Sequence, residues 1–521
     1  MNVADSTPSD NPESFATESP QQLCQRIDAM AEALKQNIKN AAAGGQSFDS
    51  VERDVRQSVF ALGKLAVDLF VSLQGDGDLG DEVTTNEGVT LRRRDNKALT
   101  TLRSIFGTHH FRQFTYAPGP KKAIALRPLS ARMLLPSCRW SYLLQQWTQM
   151  LSVDSAYQQA MDNLQVILGG EKLSVDTAEK INGQMGHVAG AYLDNPPKPD
   201  ANRESKFIVA TADCKGVPLV KEDAKKIAAF ETARKNPGNR RMATVASVYT
   251  VDPHVRTAEA ITDALFRENP EDAQSKPRPQ PVGKLTTAHM PELVDDAEES
   301  QLRISGIHVA MAWINDRVTE RRRPGQVLLV LMDGQESLWE TFKLHQSFGV
   351  RTVPILDIVH VLSYIWEAAG LFEKNDGQRR AFTRDRLLRI LGGGIKGVIK
   401  GLRRLGTSSG LQGEKKKDLA RICMYLEKNS QRMKYDEYLR RGYPIASGVI
   451  EGACRHLVKD RMERSGMRWT LEGARSMLHV RSVFQSAYWG SFLADRMQRD
   501  NERTHPNRQL LRDYEPLALA C

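Results

Sequence analysis

Cysteine is scarce in this 521-residue chain. The six present, Cys24, Cys138, Cys214, Cys423, Cys454 and Cys521, form no C-x-x-C pair and share no repeated spacing. That pattern excludes a disulfide framework and a zinc ribbon, and it predicts a reduced, cytoplasmic protein. Long apolar runs are missing too. No stretch of about 18 apolar residues occurs, so no transmembrane helix is expected. The opening MNVADSTPSDNPESFATESPQQ has neither the basic start nor the apolar centre of a secretory signal. Acidic residues are the minority charge: Lys and Arg number 73 against 63 Asp and Glu, a formal net charge of +10. This balance favours a polyanionic partner, with nucleic acid foremost. The length accommodates about three domains with a sizeable core.

Residues 1–20, rich in Ser, Pro, Asp and Asn, read as a disordered tail. Residues 21–88 form a helical region, with helices expected at 21–43 and 48–75; Val51, Val55, Val59, Leu62, Leu65 and Leu69 recur at helical spacing. Residues 89–135 hold β-branched and aromatic residues between turn signals and predict a small basic β unit. In 136–195, a helix, a Gly-Gly break and a second helix opened by Ser174 fit a helix-turn-helix, as they also fit a plain helical hairpin. The stretch LDNPPKPDANRESK reads as a linker.

From 205 to 490 the pattern is α/β. Strands are expected at 206–213, 241–251, 326–333 and 350–356, and helices at 292–322, 336–346 and 357–371. Residues 267–292 read as a surface loop. A basic, wholly helical stretch at 373–442 interrupts the α/β pattern, which resumes at 443–490 and ends in a helix at about 470–487. Residues 491–521 read as a C-terminal tail.

Three carboxylates stand out. In FIVATADCKGVPLV, residues 207–220, Asp213 follows an apolar run that reads as a strand buried on both faces. An unpaired buried carboxylate costs several kcal/mol, so Asp213 caps a turn, pairs with a base or binds a metal ion. Asp333 ends a similar run, QVLLVLMDG, and Glu451 follows on a helix opened by Ser447 and Gly448. Taken singly, Asp213 and Asp333 could each be a turn former, and Glu451 could pair with Arg455 one helical turn on. Taken together, grouped carboxylates repel one another unless a divalent cation neutralises them. A Mg²⁺ site held by Asp213, Asp333 and Glu451 is therefore expected.

The segments ADCKGVPL, VLMDG, ILDIVHVLSYIWEAA and above all SGVIEGACRHLVKDRMERSGMRW resemble the DDE transposases of the bacterial ISKra type of insertion sequence. The resemblance covers most of residues 130–490. It implies an RNase H-like catalytic domain with an all-helical insertion, in which Asp213, Asp333 and Glu451 hold two Mg²⁺ ions, with Mn²⁺ as a substitute. Asp357 and His360 of DIVH would support the site. The activity implied is DNA strand cleavage and transfer at terminal inverted repeats; a nuclease without strand transfer, or a non-catalytic DNA-binding derivative, is the alternative. Pairing of two DNA ends implies a homo-oligomer on double-stranded DNA, in a nucleoid-associated setting. The paired cysteines often found in the N-terminal region of such proteins are absent.

Cations expected at DNA phosphates are Arg455 and Lys459, on one helical stripe with Glu451, together with Arg461, Arg468, Lys415, Lys416, Lys417, Arg92, Arg93 and Arg94. The runs Arg321–Arg323 and Arg440–Arg441 are either solvated faces or further phosphate contacts. Trp469 is expected in the core rather than stacked on a base.

Overall fold

The computed structural model describes residues 18–228, 238–268, 277–295, 301–347, 351–464 and 466–517. Two compact units are present: one combines residues up to Ile181 with those from Gly490 onward, and the other spans Asn182–Trp489.

The first unit opens with α1 (Pro20–Ala43) and α2 (Phe48–Ser72). Ser19 and Gln22 form a reciprocal capping box at the start of α1, with Pro20 in the first turn, and the Ser47 side chain caps α2. Next come β1 (Glu82–Thr84), β2 (Thr90–Arg93), the hairpin β3 (Ala98–Ser104) and β4 (Gly107–Gln113), and β5 (Tyr116–Ala117). β1, β2 and β5 make an antiparallel sheet, so the small β unit read from the sequence is present. It is followed by α3 (Pro128–Arg132), α4 (Tyr142–Ser152), α5 (Tyr157–Leu168) and α6 (Val175–Asp194), which leads into the second unit. The expected break after α5 falls at Gly169, whose φ of 69° suits glycine.

The second unit is built on β6 (Phe207–Pro218), β7 (Arg240–Val251), β8 (Val282–His289), β11 (Leu328–Met332) and β12 (Thr352–Leu356). The strands lie in the order β12-β11-β6-β7-β8. β7 and β8 are antiparallel to their neighbours, whereas β6, β11 and β12 are mutually parallel. β9 (Glu292–Asp295) and β10 (Gln301–Ile304) form a separate antiparallel pair. The helices here begin with α7 (Lys221–Ala228), α8 (Ala258–Phe266), α9 (Gly306–Arg321), α10 (Glu336–His345) and α11 (Ile358–Phe372).

Because side chains alternate along a strand, Ile208, Ala210, Ala212, Val330 and Met332 bury one face of the sheet against α9 and α10. Val209, Leu329, Leu331 and Ile355 bury the other against α11 and the helical insertion. That insertion comprises α12 (Asp376–Leu391), α13 (Ile395–Ser408), α14 (Gly413–Asn429) and α15 (Tyr435–Arg441). α16 (Gly448–Ala453) then runs through a π-helical turn, Cys454–Lys459, into α17 (Asp460–Met462), and α18 (Leu471–Gln485) follows.

Four expectations are corrected. β6 does not stop at Asp213; it runs to Pro218, because β7 pairs with it along its whole length, from Phe207↔Val251 to Pro218↔Arg240. The surface loop expected at 267–292 contains β8, held by β7 and anchored where the Ser486 hydroxyl accepts from the Thr286 amide at 2.9 Å; residues 269–276 of that loop lie outside the described ones. The helix expected from 292 begins only at Gly306, after β9 and β10. The C-terminal segment is no tail either. α19 (Trp489–Thr504) is helical and belongs mainly to the first unit, where buried Arg496 donates to Gln145 Oε1.

Candidate active site

Ala212 pairs with Met332, and Met332 pairs with Leu356, across three parallel strands. Asp213, Asp333 and Asp357 each come next in their segments. Three carboxylates therefore stand at one level across three adjacent strands, Asp213 within β6 and Asp333 and Asp357 just past the ends of β11 and β12, with neighbouring strands about 4.8 Å apart. Asp213 and Asp333 continue the alternation of Val209 and of Leu329 and Leu331, so they face the side on which α11 packs.

Local bonding fixes each group. Asp357 is fully buried and caps α11: its Oδ1 accepts from the Val359 amide at 2.8 Å. Its other oxygen accepts from the hydroxyl of buried Ser447. Ser447 precedes α16, and its carbonyl accepts from the Glu451 amide at 3.0 Å, which places Glu451 one turn beyond Asp357's partner. Asp213 Oδ1 accepts from the Cys214 amide at 2.7 Å, and its Oδ2 lies 3.5 Å from the Cys454 thiol. Asp333 Oδ1 accepts from the Gln335 amide at 2.9 Å.

Asp357, His360 and Glu451 bring ligand atoms within 4.8 Å of one another, the one such group among the described residues. Asp213 and Asp333 lie outside it but act on it electrostatically. Burial pushes the Asp333 carboxyl up, and the charges of Asp213 and Asp357 push it further, with the Gln335 amide and His360 opposing. Glu451 is likewise raised by desolvation, then by Asp357 and Asp213, again against His360. Burial and the nearby Asp213 carboxylate hold the Cys454 thiol protonated. Cys214 is pushed up to about 11 by the same two causes, burial first. Mutual repulsion with partial desolvation is the electrostatic signature of a site that a cation would relieve.

Asp357 and His360, read from the sequence as supporting residues, thus stand beside Glu451 itself. Ser447 and Cys454 were missed as site residues. Their signal was helical spacing, since they lie four residues before and three after Glu451. Tyr425 was missed as well: stacked on Tyr364 at 3.8 Å, it packs against Gly334.

Compared with protein-family models and with curated proteins, the chain matches neither.

The cations expected at DNA divide. Arg455, Lys459 and Arg468 are exposed, as are Lys415, Lys416 and Lys417. Arg455 pairs with Asp460 at 3.7 Å rather than with Glu451. A π-helical turn spans Cys454–Lys459, between Glu451 and the end of the expected stripe. Arg461 is fully buried with its guanidinium 4.8 Å from the Trp469 ring centre, which removes it from any DNA surface. Trp469 is in the core, as expected, and donates to the Met462 carbonyl.

Lys417 is paired with Glu414 at 2.7 Å. Arg92 pairs with Glu82, Arg93 with Asp78 and Asp81, and Arg94 donates to the Lys122 carbonyl at 2.7 Å. The β unit is therefore much less basic than its sequence suggests. Of the remaining runs, Arg321 is buried against Glu204 at 2.9 Å, Arg323 binds the Ala201 and Glu204 carbonyls, and Arg440 and Arg441 pair with Asp436 and Glu437.

Proposed function

We propose that the chain is a metal-dependent DNA transposase that cleaves and joins strands at the ends of its own mobile element, on an RNase H-like catalytic domain. The observation that carries this reading is the register of Asp213, Asp333 and Asp357 at one level across three adjacent parallel strands, with Glu451 delivered from a later helix. A central first strand, flanked on one side by an antiparallel pair and on the other by two parallel strands, supports the fold assignment.

The donor set fits hard divalent cations: carboxylates dominate, His360 adds one nitrogen, and the upward-pushed Asp333 and Glu451 mark uncompensated negative charge. Asp213, Asp333, Asp357, His360 and Glu451 would hold such ions, which would supply Lewis-acid polarisation of a scissile phosphate and activation of the attacking water or 3′-hydroxyl. The chain's own part is positioning. Asp213 is oriented by the Cys214 amide and the Cys454 thiol, Asp333 by the Gln335 amide, and Asp357 by Val359 and Ser447. Glu451 closes the constellation from the solvent side.

The test is a nicking and joining assay with Mg²⁺ on duplexes carrying the DNA that flanks the gene. Asp213→Asn, Asp333→Asn and Glu451→Gln should each lose both products while still binding DNA. Wild-type protein that nicks without ever joining would assign a nuclease instead, and activity surviving all three substitutions would overturn the reading.

A further inference from the structure

The cations of the helical insertion are unequally compensated. Arg384 pairs with Asp263 and Glu268, Arg403 with Glu427, Lys417 with Glu414, and Lys428 with Glu336. Lys396, Lys400 and Arg404 of α13 are exposed, and among the described residues no acidic group pairs with them. They recur every fourth residue, so they form one stripe in steps of about 6 Å along the helix. Gly397 and Gly401, also exposed, follow the two lysines, and a Cβ at either glycine would meet nothing within 4 Å. Beside the stripe lies a groove of about 210 Å³ shared with α12. Arg386, Arg389 and Arg404 line it, and the first two share the single carboxylate of Asp385. The opposite face of α13, with Ile395, Val398, Ile399 and Leu402, is buried in the core.

We propose that this face of α13 is a phosphate-binding edge that takes the backbone of duplex DNA, with Lys396, Lys400 and Arg404 at successive phosphates and the two glycines letting the backbone approach closely. It rests on the reading of the chain as a DNA-transposing enzyme and adds a binding surface on the helical insertion. A basic amphipathic helix also suits an anionic membrane. Here, however, the apolar face is already used in the core and cannot insert, which leaves charge alone to choose the partner. A regularly charged polyanion matches a stripe of uncompensated cations with no side chain between them and the ligand. It also moves the insertion's main phosphate contact from Lys415–Lys417, where Glu414 already engages Lys417, to α13.

The experiment is an anisotropy titration of the full chain with duplex DNA, random and gene-flanking, over a range of salt concentrations. Each lost phosphate contact lowers the slope of log affinity against log salt by about 0.9. Lys396→Gln/Lys400→Gln/Arg404→Gln should therefore reduce it by about 2–3 on both duplexes. Gly397→Leu/Gly401→Leu keeps every charge and improves helix propensity, and it should weaken binding by tenfold or more. An unchanged slope in the triple variant, beside steeply salt-dependent wild-type binding, would overturn this edge and leave the functional reading standing. Leucine variants that bind like wild type would overturn the close approach. Wild-type protein that ignores DNA at all salt concentrations would sink both.

Discussion

Ionisation of Asp333 runs against its surroundings, since burial and then Asp213 raise its pKa above the ordinary 3.8 despite the opposing bond from the Gln335 amide. A carboxyl whose folded pKa exceeds its unfolded one adds stability below the unfolded pKa and loses it as pH climbs through the folded pKa. Ionising Asp333 therefore adds a charge that burdens the metal-free protein. Asp333→Asn removes it and keeps the Oδ1 acceptor for Gln335. The variant should melt at the same or a higher temperature without metal, lose the Mg²⁺-induced increment, and lose at least about 100-fold in strand cleavage. A calorimetric scan with and without Mg²⁺, beside the cleavage assay, checks all three. Two histidines behave in the opposite sense. His289 and His479 face each other in the second unit, ring centres 6.2 Å apart; burial is the largest cause, and Arg475 adds to it, lowering them to about 3 and about 4. His289 also senses His479, while His479 senses His187 and is opposed only by its bond to the Gly186 carbonyl. Between the unfolded value of 6.5 and these depressed values, the unfolded chain binds protons that the folded chain refuses, so stability falls as pH drops from about 6.5 towards 4. Melting temperature should decline over that window, and His479→Gln should flatten the decline. A melting curve equally flat in wild type would refute the assignment.

At the scale of elements, Gly334 shows how a turn beside a site is constrained. A Cβ there would sit 2.2 Å from Tyr425 Cε2, and that ring is stacked on Tyr364 at 3.8 Å. Gly334→Ala should cost about 1–3 kcal/mol in urea unfolding and impair cleavage by moving Asp333. Gly397→Ala, on an open helix face, should be neutral or stabilising by about 0.5–1 kcal/mol. Much of this layer was legible in the sequence. Unbroken apolar runs located β6 and β11, because buried parallel strands need continuous hydrophobicity, and the aspartates after those runs pointed to Asp213 and Asp333 of the candidate site. What stayed hidden depended on partners distant in sequence. Lys215 and Gly216 look like a turn until β7 pairs with them as Ala243 and Met242. β8 is a threonine-containing edge strand in proline-rich surroundings, so only its ladder with β7 identifies it. Arg461 reads as a DNA contact because nothing local announces that the Trp469 ring covers it. Arg92 and Arg93 read as basic because the acids that neutralise them, Glu82, Asp78 and Asp81, lie about ten or more residues upstream.

At the scale of the whole molecule, no helix among the described residues is long and apolar enough to cross a membrane, and the chain is organised as two units of which the first is discontinuous in sequence. Its closing piece is α19. Buried Arg496 donates to the Gln145 side chain, and Asp500 accepts from the Tyr142 hydroxyl at 2.7 Å and from Ser137 at 3.0 Å. Beyond it, Tyr514 donates to the Gln74 carbonyl at 2.7 Å and accepts from the Gly77 amide at 3.0 Å. These are buried or part-buried polar groups, and removing one partner strands the other at about 1–3 kcal/mol each. Gln145, fully buried, would keep only its contacts with Cys138 and the Trp140 carbonyl. A fragment that stops near Asn195 therefore lacks part of its own core. Such a fragment should unfold at least several degrees below the corresponding transition of the full chain, or aggregate. Fusing residues 489–517 to its end through a flexible linker should restore a cooperative transition. Far-ultraviolet circular dichroism melts of the two fragments decide it. If the short fragment melts as sharply and as high as the fused one, α19 is an accessory of the first unit rather than part of its core, and DNA-end recognition can then be assayed on residues 18–195 alone.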